Sequence, residues 1–193
     1  MLRLGILGST KGTDLEAIIT AIQKGTLNAK INLVVSNKEN ALLLKRAENN
    51  NIKKEFISDN SISREKYGNL LTQRFKNNDV DVILLIGFMR ILSKSFCDDW
   101  NNKILNVHPS LLPKYAGGIN NNVHKEVLKN NDNETGCTIH YVTADVDSGP
   151  VLVQKKCKVQ PNDTVESLKH RVQLLEGQAF IEALHLIEKK NYA

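Results

Sequence analysis

Short apolar runs alternate with longer amphipathic segments along almost the whole chain. This alternation is typical of β-α units and predicts a doubly wound α/β fold, with a mostly parallel sheet and helices on both faces. The run 80–86 is apolar almost throughout, as expected for a central strand covered on both sides. The predicted strands are 4–7, 31–35, 54–57, 80–86, a strand from 104 that carries Asn106, 136–143 and 151–159. Three helices are predicted to begin at 13, near 63 and at 163, and three more to span 41–49, 92–99 and 123–129.

Two helix starts carry capping signals. Thr13 precedes apolar residues at helical spacing, and its hydroxyl is suited to cap the first helix. Asp163 and Glu166 stand at capping-box spacing before the last apolar stripe. These residues therefore predict where the first and last helices begin.

Composition favours one domain, 1–193, in a reducing cytoplasm. With 193 residues and 41% hydrophobic content, the chain can bury a single core. Its 26 basic and 21 acidic residues give a net charge of +5, but the basic residues are spread out, which favours a solvated surface over a nucleic-acid site. Cys97, Cys137 and Cys157 are odd in number and lack close pairing, so they predict neither a disulfide framework nor a cysteine metal site. No apolar run is long enough to cross a bilayer, so no membrane association is expected.

The stretch I-L-N-V-H-P-S-L-L-P at 104–113 places polar side chains at a strand end. Alternate residues of a strand point the same way, so Asn106 and His108 can face one pocket, and Pro109 ends the strand. An acid near His108 would favour the protonated imidazole, which could stabilise an oxyanion. Asp147, in D-S-G-P, is the best candidate for that acid. Alone, His108 would more often be structural or merely exposed, and Asp147 could cap a turn.

The loop I-L-G-S-T-K-G-T-D-L lies between the first strand and the first helix, where backbone N–H groups favour an anion. It lacks both the Walker pattern and G-x-G-x-x-G, and Ser36 and Asn37 stand where a dinucleotide site would have an acid. A phosphomonoester is therefore favoured over a dinucleotide, with a plain tight turn as the alternative. Asp14 argues against a phosphate unless its carboxylate is turned away.

Further candidates follow the central strand and lie on the last helix. The segment G-F-M-R-I-L at 87–92 reaches the same rim and could hold a flat heterocycle, unless its apolar residues belong to the core. Gln173 and Glu176 are one turn apart, and Glu176 lies close to the buried stripe, so it needs a partner. His140 is expected to support the site, whereas His124, His170 and His185 are given no role. No metal-ligand spacing is present, so no metal is expected.

Three of these motifs together carry a family resemblance. N-V-H-P-S-L-L-P-K-Y, with G-F-M-R-I-L before it and D-S-G-P after it, closely resembles the folate-dependent phosphoribosylglycinamide formyltransferases of purine synthesis. The resemblance extends from the first loop to Glu176. It implies a Rossmann-like formyltransferase fold.

The resemblance also implies roles for matching positions. The catalytic residues would be Asn106, His108 and Asp147. The phosphoribosylglycinamide contacts would be Gly12, Thr13, Asp14, Gly87, Pro109, Gln173 and Glu176. The folate contacts would be Arg64, Met89, Arg90, Ile91, Leu92, Asn106 and His140. Three features depart from the family pattern: Asp14 replaces Asn, Lys11 lies in the phosphate loop, and A-G-G-I-N-N-N-V-H replaces G-L-H-T-H.

The reaction implied is formyl transfer from 10-formyltetrahydrofolate, as co-substrate, to the amine of phosphoribosylglycinamide through a tetrahedral intermediate, without a metal. The expected partners are these small molecules, with no nucleic acid or membrane, and the chain is expected to be a monomer or homodimer. Two alternatives stay open. One is a formyltetrahydrofolate hydrolase, and the other is a catalytically silent nucleotide- or RNA-binding module, motivated by the +5 charge.

Overall fold

The computed structural model describes residues 1–117 and 122–191, and these form a seven-stranded sheet flanked by helices. The strands are β1 (Leu2–Gly8), β2 (Ala29–Ser36), β3 (Lys54–Phe56), β4 (Val82–Leu85), β5 (Ile104–His108), β6 (Glu134–Tyr141) and β7 (Val151–Lys158). The helices are α1 (Thr13–Gln23), α2 (Leu42–Asn49), α3 (Arg64–Lys76), α4 (Lys94–Asp99), α5 (Val123–Lys129) and α6 (Val165–Asn191). The predicted α/β class is confirmed.

The strand order is β3-β2-β1-β4-β5-β6-β7. Strands β1 to β5 pair in parallel, and β6 and β7 add an antiparallel edge. The order changes direction between β1 and β4, which is the position where open α/β sheets bind ligands. The loops that follow β1, β4 and β5 therefore meet at one rim, as the sequence predicts.

Apolar side chains cover both faces of the sheet. Val82 and Leu84 of β4 pack with α1 and α6 in one core, whereas Ile83 and Leu85 pack with α3 and α4 in a second core. This arrangement explains why the sequence of β4 is continuously apolar. Among the described helices, none combines the length and the apolar character that crossing a membrane requires.

Both predicted capping residues are wrong by one position. Gly12, not Thr13, occupies the N-cap of α1, with φ of 66° and no side-chain cap, and a β-carbon there would clash with Leu43. Before α6, the Thr164 hydroxyl accepts the Ser167 N–H at 3.2 Å, and the Ser167 hydroxyl accepts the Thr164 N–H at 3.0 Å. Asp163 instead accepts hydrogen bonds from the Arg171 guanidinium. A tertiary contact therefore decides the start of α1, whereas local hydrogen bonds between Thr164 and Ser167 cap α6.

Candidate active site

A cavity of about 850 Å³ opens at the predicted rim. It is lined by the loops after β1, β4 and β5, by the connection between β6 and β7, and by the first half of α6. The predicted site residues that line it are Gly12, Thr13, Asp14, Gly87, Met89, Arg90, Ile91, Leu92, Asn106, His108, Pro109, His140, Asp147, Gln173 and Glu176. Candidate site residues from separate segments of the sequence therefore line one cavity.

His108 is held between two acceptors at the end of β5. Its Nδ1 lies 3.3 Å from Oδ2 of Asp147, and its Nε2 lies 2.9 Å from the carbonyl oxygen of Tyr115. The same Asp147 oxygen accepts the Gly117 N–H at 2.9 Å. The imidazole is only 7% exposed, so these contacts are shielded from water.

The Asp147 carboxyl is ionised at neutral pH. Burial raises its pKa, but the hydrogen bonds from His108 and from the Gly117 N–H lower the pKa by more than burial raises it, so the pKa lies below its ordinary value. A carbonyl oxygen and a carboxylate can only accept, so both ring nitrogens of His108 are placed to donate hydrogen bonds.

His140 fixes the orientation of Asn106. The two residues are directly paired across β5 and β6, and the Asn106 Nδ2 lies 3.1 Å from His140 Nε2. His140 Nδ1 lies 3.0 Å from the Tyr141 carbonyl oxygen, so Nδ1 donates and Nε2 accepts. Burial lowers the pKa of His140 more than the Tyr141 hydrogen bond and the Asp147 charge raise it, so its ring is neutral. The Asn106 amide keeps a second N–H for a ligand.

The loop after β1 is suited to an anion. Gly12 is buried in its left-handed conformation, and the first turn of α1 follows directly, where helix N–H groups lack helical partners. The Ser9 hydroxyl accepts the Met89 N–H at 3.0 Å and donates to Asn37 Oδ1 at 2.7 Å. The hydrogen bond between Ser9 and Met89 connects the anion loop to the segment after β4, so the positions of these two sides of the cavity are fixed relative to each other.

Two buried carboxyls lie beside this loop. Asp14 is 4% exposed and Glu176 is 8% exposed. Burial raises the pKa of both, and the nearby Asp14 charge raises that of Glu176 further. Within the described residues, Oδ1 of Asp14 has no hydrogen-bond partner. The objection that Asp14 would repel a phosphate is weakened, because a raised pKa favours its neutral form.

The segment after β4 supplies the apolar side of the cavity. Met89 and Ile91 line the cavity and are 49% and 39% exposed, and exposed apolar side chains that line a cavity are typical of ligand-binding sites. Arg90 is different, because its guanidinium pairs with Asp59 at 2.8 Å and stacks over the Tyr67 ring at 5.0 Å. Its side chain is thus used to hold the segment in place.

The match to known proteins is extensive. The family model described as formyl transferase matches residues 2–184. The chain belongs to the formyl transferase family. Among the described residues, no group of three or more His, Cys, Asp or Glu side chains could hold a metal ion.

Relatives and solved structures agree with this membership. Trifunctional purine biosynthetic protein adenosine-3 of Chironomus tentans is 40% identical over 96% of the chain, which spans only 14% of that relative. Phosphoribosylglycinamide formyltransferase of Escherichia coli is 38% identical, with 89% of this chain and 80% of the relative covered. Glycinamide ribonucleotide transformylase 1 of Symbiobacterium toebii has a TM-score of 0.94 at 32% identity, covering 98% and 89% of the two chains. The Rossmann-like formyltransferase fold is thereby confirmed.

One predicted folate contact lies outside the cavity. Arg64 is the exposed first residue of α3 and is not among the residues that line the cavity. The departure A-G-G-I-N-N-N-V-H includes residues 118–121, which lie outside the described part of the chain.

Several residues that line the cavity are missing from the predicted set. His124 and His170 both line it, although the sequence analysis assigns neither of them a role. His124 is buried, and burial together with the Lys169 charge lowers its pKa to about 4, so it is neutral. Lys169 also lines the cavity, and its position was predictable from spacing, because Lys169, Gln173 and Glu176 lie at i, i+4 and i+7 on α6.

Proposed function

We propose that the chain transfers the formyl group of 10-formyltetrahydrofolate to the amine of 5-phosphoribosylglycinamide, a step of de novo purine synthesis. The observation that carries the proposal is the convergence of Asn106, His108 and Asp147 in one cavity that also contains the anion loop. Relatives that bear the name phosphoribosylglycinamide formyltransferase support it, since the chain covers 80% or more of two of them. The trifunctional purine biosynthetic relatives are far longer than this chain, which spans 14% of the Chironomus tentans protein, so their further activities are not carried over.

The two ends of the cavity suit the two substrates. The first turn of α1 offers N–H groups to the phosphate, and Gln173 and Glu176 on α6 face the same space. The exposed apolar surfaces of Met89 and Ile91 suit the flat pteridine ring. The formyl carbon would then lie between these ends, beside Asn106 and His108.

The reaction follows from the protonation states at the centre. The substrate amine attacks the formyl carbon, a C–N bond forms, and the carbonyl oxygen becomes an oxyanion. His108 and the Asn106 amide donate hydrogen bonds to that oxygen, while the Asp147 carboxylate stabilises the imidazolium. The bond from the formyl carbon to N10 of the folate then breaks, the amine loses a proton and N10 gains one. The hydrogen bond from His108 to Tyr115 must be exchanged for one to the substrate.

Formyl transfer is tested by supplying the two substrates together and separately. We expect tetrahydrofolate and formylated ribonucleotide to appear in equal amounts only when both substrates are present. Release of formate from formyl-folate alone at a comparable rate would indicate the hydrolase instead. Absence of folate product in every mixture would contradict the proposal.

We also propose that the chain acts as one formyltransferase domain in the cytoplasm, as a monomer or homodimer. Its small-molecule substrates account for the polar and apolar lining of the cavity. The spread of its basic residues gives no reason to add a nucleic acid or a membrane as a partner.

A further inference from the structure

The segment 87–92 is neither helix nor strand, so hydrogen bonds from outside it fix its backbone. At its start, the Ser9 N–H donates to the Gly87 carbonyl oxygen at 3.1 Å. Two residues later, the Met89 N–H donates to the Ser9 hydroxyl rather than to a backbone carbonyl. The whole segment lines the cavity, so the groups that fix its backbone also shape this side of the cavity.

A ring of hydrogen bonds leads from Met89 to Arg90 through three side chains. The Met89 N–H donates to the Ser9 hydroxyl at 3.0 Å, and this hydroxyl donates to Asn37 Oδ1 at 2.7 Å. The Asn37 amide donates to Oδ2 of Asp59 at 2.9 Å. The Arg90 guanidinium lies 2.8 Å from the same Asp59 oxygen. Because Met89 and Arg90 are neighbours in the sequence, the ring closes on the segment itself.

All the hydrogen bonds of this ring lead toward the Asp59 carboxylate. An ionised carboxylate can only accept, so Asn37 turns its NH2 group to Asp59 and its oxygen to the Ser9 hydroxyl. Burial raises the pKa of Asp59, but the hydrogen bonds from Asn37 and Arg90 lower it by more, so the carboxyl is ionised at neutral pH. Asn37 is buried and the Asp59 side chain is only 13% exposed, so water competes little for these hydrogen bonds.

Arg90 anchors the other side of the ring to the connection between β3 and α3. Its guanidinium donates to the carbonyl oxygens of Asp59 at 3.0 Å and Ile62 at 3.3 Å. It also stacks over the ring of Tyr67, which is buried on α3 and donates its hydroxyl proton to the Ile57 carbonyl oxygen at 3.2 Å. The planar guanidinium can make these contacts together, whereas the single ammonium of a lysine could not.

We infer that Asp59 is a positioning residue for the folate substrate, because its carboxylate terminates the hydrogen bonds that fix the backbone of 87–92. Ser9, Asn37 and Asp59 are not among the residues that line the cavity, so they act on a ligand through that segment. This inference rests on the proposed function for the identity of the ligand. The effect of the ring on the segment does not depend on that function.

Replacing Asp59 with Ala removes the acceptor on which both sides of the ring depend. We expect the Kd for 10-formyltetrahydrofolate to rise about tenfold, as for the loss of a charge-assisted hydrogen bond, while the Kd for the ribonucleotide stays within about twofold. Asp59→Asn keeps the shape and one acceptor oxygen but loses the charge, so we expect a rise of about threefold. Isothermal titration calorimetry measures these constants.

Asp81→Ala is the matched control. Asp81 also binds an arginine, because its carboxylate lies 2.7 Å from the Arg3 guanidinium. It immediately precedes β4, so it lies at the opposite end of that strand from 87–92. We expect Asp81→Ala to lower Tm and leave both Kd values unchanged. Formyl-folate Kd values in folded Asp59→Ala and Asp59→Asn that equal the wild-type value would overturn the inference, as would an equal loss of affinity for both substrates.

A double substitution tests whether the hydrogen bonds act as one ring. Ser9→Ala interrupts the ring on the side of Met89, whereas Asp59→Ala interrupts it on the side of Arg90 as well. If the ring is one unit, the double variant should raise the formyl-folate Kd by less than the product of the two single effects. Single effects that multiply would show that the two residues act separately and would overturn the ring.

Hydrogen exchange of the ligand-free protein tests the ring without a substrate. The amide proton of Met89 should exchange about tenfold faster in Asp59→Ala and in Ser9→Ala than in the wild type, and at the wild-type rate in Asp81→Ala. Nuclear magnetic resonance measures these rates. An unchanged Met89 rate in Asp59→Ala would overturn the inference. Failure of the wild type to bind formyl-folate would count against the proposed function instead.

Discussion

Replacing Asp147 with Asn tests the centre of the proposed mechanism with the smallest change in shape. The substitution removes one negative charge, but the amide oxygen can still accept the Gly117 N–H that now lies 2.9 Å from the carboxylate. The side chain is nearly as large, so the turn between β6 and β7 keeps its packing. What is lost is the charge 3.3 Å from Nδ1 of His108.

The size of the effect follows from that distance. Opposite unit charges 3.3 Å apart attract by roughly 5 kcal/mol at an effective dielectric constant of about 20, and desolvation of the two groups offsets part of it. Loss of one oxyanion donor typically costs about 3 kcal/mol in the barrier, or a hundredfold or more in rate. We therefore expect Asp147→Asn to lower kcat by about a hundred- to a thousandfold, and His108→Ala to lower it at least as much. Ribonucleotide affinity should change little, because the anion loop is untouched.

The assay is the steady-state rate at saturating concentrations of both substrates, with cooperative thermal unfolding as the check on folding. Asp98→Asn provides a matched control, since Asp98 pairs with the exposed Lys94 on α4. A folded Asp147→Asn variant with kcat within about tenfold of the wild type would refute the argument that this charge stabilises the imidazolium in the transition state.

Three further substitutions test other parts of the structure. Gly12→Ala should lower the free energy of unfolding by about 1–3 kcal/mol and weaken ribonucleotide binding, since φ is 66° and the new methyl meets Leu43; an unchanged Tm would contradict this. Ile91→Ser should raise KM for formyl-folate about fivefold while the ribonucleotide KM stays constant, because an exposed apolar contact is worth about 1 kcal/mol; equal changes in both KM values would count against a folate contact. The pKa of Asp163 is held below its ordinary value, chiefly by hydrogen bonds from Arg171. The ionised carboxylate therefore stabilises the fold above about pH 4, and this stabilisation is lost as the pH falls through the lowered pKa. Asp163→Asn should therefore lower Tm at neutral pH but hardly at all in strong acid, and an equal loss at both would refute the electrostatic origin.

Local patterns predict the elements well where burial on the sheet is simple. The helix 123–129 has the predicted bounds, and the apolar run at 80–86 contains the central strand β4. Helix starts are less predictable, because the N-cap of α1 depends on contact between Gly12 and Leu43 from another helix. Side-chain partners are also hidden from the sequence, since nothing local indicates that the Arg90 guanidinium pairs with Asp59.

The position of Asp147 shows most clearly what topology alone does not provide. Strand β6 runs antiparallel to β5, so Tyr141 pairs with Leu105, near the start of β5 and away from the rim that carries His108. The connection 142–150 closes where the Tyr141 N–H donates to the Pro150 carbonyl oxygen at 2.9 Å. This connection must therefore fold back along β5 to place Asp147 beside His108. The His140 ring lies along that path, because its Nε2 is 3.6 Å from Oδ1 of Asp147. The rule that ligands bind at the carboxyl ends of strands predicts Asn106 and His108 but not this third residue. The D-S-G-P turn makes Asp147 only a candidate for the acid, and the family resemblance is what assigns it.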